Sequence, residues 1–119
     1  MNYVDGYLVP VKTANREAYR AMAEVASQVF IDHGAVHVAE CWGDDMMRGK
    51  HTDFFMAVQA EENENVVFSW ISWPDKETRD RGNQAAMADP RFDEMQVEAV
   101  FDPLRIVFSG FQTIVDHKA

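Results

Sequence analysis

Between Val66 and Arg91 the chain reads VVFSWISWPDKETRDRGNQAAMADPR, and no other stretch constrains the fold as much. Residues 66–73 alternate two largely apolar sets. Val66, Phe68, Trp70 and Ser72 share one face, and Val67, Ser69, Ile71 and Trp73 share the other. A strand apolar on both faces must be covered on both. Pro74 ends it, because proline has no N–H for a ladder. Asp75 is then placed to cap a helix running from Lys76 to about Ala88. The inner face of that helix reads as Thr78, Gly82, Ala85 and Ala86, all small. Gly82 costs up to about 1 kcal/mol against Ala in a helix interior, so a close approach to the sheet or another subunit is the reason to expect it there. Asp89-Pro90 stops the helix.

The rest of the chain lays out around this unit. Asn2–Val11 reads as a strand with Tyr3, Asp5, Tyr7 and Val9 facing one way and Val4, Gly6 and Leu8 the other. Asn15–His33 reads as a helix, with Asn15 as N-cap and Gly34 at the left-handed position after its end. Its apolar stripe is Tyr19, Met22, Ala23, Ala26, Val29 and Phe30. Ala35–Trp42 is a second strand, with Val36, Val38, Glu40 and Trp42 on one face. Thr52–Ala60 fits either a short helix capped by Thr52 or Asp53, or a strand. Residues 92–100 read as a short helix or a loop, with a lid as one role for them, and Leu104–Val115 as the last strand. The order strand, helix, strand, insert, strand, helix, strand is that of an α+β, ferredoxin-like split β-α-β domain with an antiparallel sheet and two helices on one face. The other sheet face is then bare and apolar, and a second copy packed sheet to sheet would cover it.

At 119 residues the chain is expected to form a single domain, residues 1–119. A net charge of −9, from 20 acidic and 11 basic residues, argues against nucleic acid as a partner. No apolar run approaches the roughly 20 residues of a membrane span. One cysteine, Cys41, forbids an intrachain disulfide and points to a cytoplasmic protein. The opening MNYVDGYLVP has no basic stretch before an apolar run, so it does not read as a signal peptide. Eight Phe, three Trp and three Tyr are many for so small a domain, and they too point to a covered surface.

Few arrangements carry chemistry. His33 and His37 have the spacing of a helical metal pair, but Gly34 breaks the helix between them, and no metal site is expected. There is no nucleophile elbow and no phosphate-binding glycine loop, so no cofactor is expected. Cys41 reads as a small buried residue. The carboxylates Asp5 and Glu40 stand out, because both sit on otherwise apolar strands. A buried carboxylate needs a donor or a cation, and Arg105, Arg79 and His37 are candidates. Two readings stay open for Asp5 and Glu40: a structural ion pair, or a general base in a pocket. Tyr7, Trp42, Trp70, Trp73 and Arg105 are the candidate ligand-binding residues, with core or dimer interface as the alternative for the aromatics.

Several spaced motifs together carry a resemblance. YVDGY at Tyr3–Tyr7, ECW at Glu40–Trp42, FSWISWPDKETRD at Phe68–Asp80, MADPR at Met87–Arg91 and the FD, R and GF of Phe101–Phe111 resemble the YbaA-like family of uncharacterised bacterial proteins, domain of unknown function 1428. The resemblance implies a ferredoxin-like fold of the dimeric α/β-barrel superfamily and no established activity. Three functions remain in play. The first is a homodimer binding a small apolar or aromatic molecule in the barrel-like space. The second is a cofactor-independent monooxygenase or isomerase that uses a buried carboxylate. The third is a structural or regulatory homodimer without a ligand.

Overall fold

The computed structural model describes residues 2–119. A four-stranded antiparallel sheet forms in the order β2-β3-β1-β4, from β1 (Tyr3–Lys12), β2 (His37–Trp42), β3 (Glu64–Trp73) and β4 (Val107–Gln112). Helices α1 (Arg16–Asp32) and α3 (Lys76–Met87) supply the two crossovers of a ferredoxin-like α+β fold. The insert holds α2 (Phe54–Ala57), capped by Asp53, whose side chain accepts from the Met56 N–H. This settles residues 52–60 as a short helix. The last strand is shorter than its apolar sequence suggests. Residues 103–105 form a 3-10 turn instead, because Asp102 accepts from the Leu104 N–H and starts it.

The register fixes which side chains face the helices. Tyr3, Asp5, Tyr7 and Val9 of β1 lie opposite Trp73, Ile71, Ser69 and Val67 of β3. Val9, Val11, Tyr19, Ala23 and Val67 form one buried cluster, and Ala35, Ile71 and Trp73 form another. Phe68 and Trp70 point to the opposite face, where Phe68 is 47% exposed and Phe111 57% exposed. Cys41, opposite Phe68, is exposed there rather than buried. The reason is that α2 covers only one end of this side of the sheet, where Phe54 stands edge-on to Phe68 and Val58 and Val66 are buried.

Helix ends follow local chemistry with one exception. Asp75 caps α3 by accepting from the Thr78 N–H. Gly34 takes φ +113° after α1, the region that favours glycine. Asn15 does not cap α1 with its side chain. Its Nδ2 donates 3.1 Å to the Val100 carbonyl and ties the start of α1 to the segment leading into β4.

Helix α3 sits on the sheet through Gly82 and an ion pair. A methyl group at Gly82 would overlap the Trp73 ring and stand 2.7 Å from the His33 carbonyl oxygen. Trp73 is fully buried beneath it. Ala86 is buried beside this contact, whereas Ala85 turns outward. The inner face therefore continues through Arg79 and Asn83, whose polar ends both reach Asp5.

Two outcomes follow from this packing. Gly82→Ala should lower stability by about 1–3 kcal/mol, as overpacking does, although Ala is the better helix former. A higher urea midpoint for the variant would contradict the close contact. Arg79→Leu should cost about 3–5 kcal/mol, because it strands a buried carboxylate. A midpoint within experimental error of the parent protein would contradict the pairing.

Candidate functional site

The two carboxylates singled out in the sequence have different surroundings. Asp5 is 2% exposed and fully engaged. Arg79 grips it through Nη2 at 2.7 Å and Nε at 3.0 Å. The Trp73 indole N–H donates to it at 3.0 Å, and Asn83 adds a longer bond at 3.4 Å. The Arg79 guanidinium in turn stands over the Tyr3 ring. A carboxylate so completely paired has no lone pair aimed at open space and serves to hold α3 against β1 and β3.

Glu40 is the opposite case. It projects from β2 into a cleft of about 390 Å3 between the sheet and the helices. Its Oε1 accepts a 2.7 Å bond from the Tyr19 hydroxyl of α1. No cation pairs with it among the described residues. Arg79 is committed to Asp5, Arg16 stands over the Trp42 ring, and Arg20 pairs with Glu17 and Glu24. Glu40 is exposed at the cleft mouth, not buried as its apolar strand suggests, because β2 is an edge strand of the sheet. The protein packed around it still removes enough water to raise its pKa above the usual carboxylate value, and the Tyr19 bond opposes that rise. Burial, followed by the Glu40 charge, pushes the Tyr19 phenol far up. Tyr7 is raised as well, first by burial and then by the charge of Asp5.

Strand register explains why a cleft opens here. Glu40, Ser69, Tyr7 and Phe108 form one row across all four strands. The smallest of them, Ser69, is 4% exposed and sits mid-row, so it makes a floor rather than a plug. The Tyr7 and Phe108 rings stack at 5.8 Å along one side. Met22 and Phe30 of α1 and Met87 of α3 form the walls. Phe92, Met95 and Phe101, from the segment between α3 and β4, complete the lining. That segment is anchored by the Asn15 bond and by Arg91, which pairs with Asp32 at 2.9 Å and with Asp89 at 2.8 Å. Apolar walls and a few convergent polar groups are the usual make-up of a small-molecule site.

Of the ligand-binding candidates, only Tyr7 lines this cleft. Trp73 is core. Trp70 lies on the opposite sheet face, edge-on to His37 at 5.9 Å. Trp42 packs beside the first core cluster, near Arg16 in a shallow neighbouring groove that Glu40 also borders. Arg105 is remote from both Asp5 and Glu40. It binds Glu64 with two bonds of 2.7 Å and Asp102 with one of 3.0 Å, joining the 3-10 turn to the start of β3. Tyr19, Ser69 and the methionine walls were not anticipated. The signal for Tyr19 was present, because the apolar stripe of α1 and the inward side of β2 must face each other.

Comparison with known proteins places this geometry. The family model described as "Protein of unknown function (DUF1428)" matches residues 2–103. The uncharacterised protein YbaA of Escherichia coli K12 is 50% identical over 116 residues, spanning 98% of this chain and 99% of that protein. Among solved structures, a NIPSNAP domain protein from Burkholderia xenovorans aligns with TM-score 0.63 and 12% identity, over 98% of this chain and 99% of that one. SnoaB from Streptomyces nogalater, a cofactor-independent oxygenase, aligns with TM-score 0.59 and 15% identity, over 97% of this chain and 95% of that one. Identities this low establish a shared fold and nothing of the chemistry. The chain itself belongs to the DUF1428 family, whose function is not established.

Proposed function

We propose that the protein binds a small, largely apolar, ring-bearing molecule in the cleft, with the polar end of the ligand at Glu40 and Tyr19. One observation carries this reading: a carboxylate without a cation faces an apolar cleft of about 390 Å3. That volume lies within the roughly 300–1,000 Å3 of small-molecule pockets. A donor on the ligand would add a charge-assisted hydrogen bond to this carboxylate.

A neutral apolar dye such as N-phenyl-1-naphthylamine should therefore bind saturably, one per chain. Ser69→Leu fills the floor and should weaken that binding at least about tenfold, by steric exclusion. Phe111→Ala, on the far sheet face, should leave it unchanged. The reverse pattern would place the dye on the outer face and refute the cleft.

A second reading adds chemistry at the same residue. The raised Glu40 pKa moves it toward the range useful to a general base, and the fold is shared with a cofactor-independent oxygenase. Glu40 would then take a proton from its ligand, as a cofactor-independent monooxygenase or isomerase requires. Asp5, with every oxygen engaged, is not available for this role.

The working unit in this proposal is a homodimer. Val4, Leu8, Phe68, Trp70 and Phe111 share the face of the sheet turned away from the helices. An apolar surface of this kind is covered in most proteins, and a second copy covers it symmetrically. Light scattering should give twice the chain mass, and Phe68→Asp should give a folded monomer. A parent protein that scatters as a monomer would refute the dimer.

A further inference from the structure

Within the small-molecule reading on which this rests, the charges around the cleft define the ligand further. Among the described residues lining it, Glu40 is the sole carboxylate, and there is no Lys, Arg or His. The other polar groups are the Tyr7 and Tyr19 hydroxyls, Ser69 and Asn83. Tyr19 occupies one oxygen of Glu40, and the second accepts no bond within the described residues. The Tyr7 hydroxyl takes no side-chain bond either. A ligand carboxylate or phosphate would meet a like charge with no cation in the cleft lining to receive it, since Arg16 and Arg20 border only the neighbouring groove and are held by the Trp42 ring and by Glu17 and Glu24. A ligand cation would meet the opposite charge. It would also lie among the rings of Tyr7, Tyr19 and Phe101, and aromatic faces attract cations through their quadrupoles.

We infer that the cleft takes an organic cation: an apolar, ring-bearing body with a protonated amine seated against the free oxygen of Glu40. The amine donates to Glu40 and to the Tyr7 oxygen, while the body fills the space between the stacked Tyr7 and Phe108 rings and the methionine walls. Acidic analogues of the same body are excluded by charge, so the site selects for charge as well as shape.

Three compounds with one ring system and different heads test this by calorimetric titration of the full chain at neutral pH: 2-naphthylmethylamine, 2-naphthol and 2-naphthoate. The amine should bind at least about tenfold more tightly than the naphthol, as a charge-assisted hydrogen bond exceeds a neutral one, and the naphthoate should be weakest. Glu40→Gln should remove the advantage of the amine. Glu62→Gln, which changes the net charge equally at an exposed turn, should retain it and so exclude a general attraction to an acidic protein. Tightest binding by the naphthol or the naphthoate would overturn the inference while leaving the cleft as a binding site. Full amine affinity in Glu40→Gln would overturn it too. Failure of all three to bind would overturn both the inference and the small-molecule reading.

Discussion

The arrangement depends on a buried negative charge that is neutralised inside the fold. Asp5 sits mid-strand in β1 beneath α3, and Arg79, Trp73 and Asn83 converge on it. Burial of a carboxylate without such partners costs several kcal/mol, so α3 cannot lift from the sheet without exposing that cost. Gly82 allows the helix to come close enough for these bonds to form, because its missing side chain leaves room for the Trp73 ring. The ion pair and the glycine are thus one device. Each is unfavourable alone, and together they fix the height of α3 above the strands.

That height determines the cleft. Arg79 and Asn83 hold α3 to the sheet at Asp5, and Met87, at the last residue of the helix, lines the cleft together with Ser69. The strands beneath alternate bulky and small residues, and the row containing Ser69 is left unfilled. Arg79 is committed to Asp5, Arg16 to the Trp42 ring and Arg20 to Glu17 and Glu24, so Glu40 has only the Tyr19 phenol as a partner. The same allocation of charge makes one carboxylate structural and leaves the other open to a ligand.

Much of this was legible in the sequence. The element order, the Pro74-Asp75 turn, the close contact at Gly82 and the two unusual carboxylates all follow from local rules. Alternation also divided Trp70 from Trp73 correctly. It tells which residues share a face, but not which face meets the helices, and so it could not show that Trp70 lies on the face away from this cleft. Arg105 was misplaced for a related reason. A cation can satisfy any carboxylate that the fold brings near, and the pairing with Glu64 spans 41 positions of sequence. The contact of Tyr19 with Glu40 spans 21 positions and is equally invisible until α1 is laid on β2. The segment carrying Phe92, Met95 and Phe101 was legible only as a short helix, loop or lid, because two short 3-10 turns and a four-residue helix have no periodicity to read.

The division of labour between the carboxylates can be measured directly by unfolding Asp5→Asn and Glu40→Gln in parallel across pH. Asp5→Asn breaks the pairing beneath α3 and should lower stability by about 3 kcal/mol or more. Glu40 behaves differently because burial raises its folded-state pKa. Its favourable contribution is complete below the unfolded pKa and is lost as pH rises through the folded one. Glu40→Gln should therefore match the parent protein in acid and equal or exceed its stability at neutral pH. A loss in Glu40→Gln as large as that in Asp5→Asn would contradict the account, since Glu40 would then be part of the framework rather than a charge held open for a ligand.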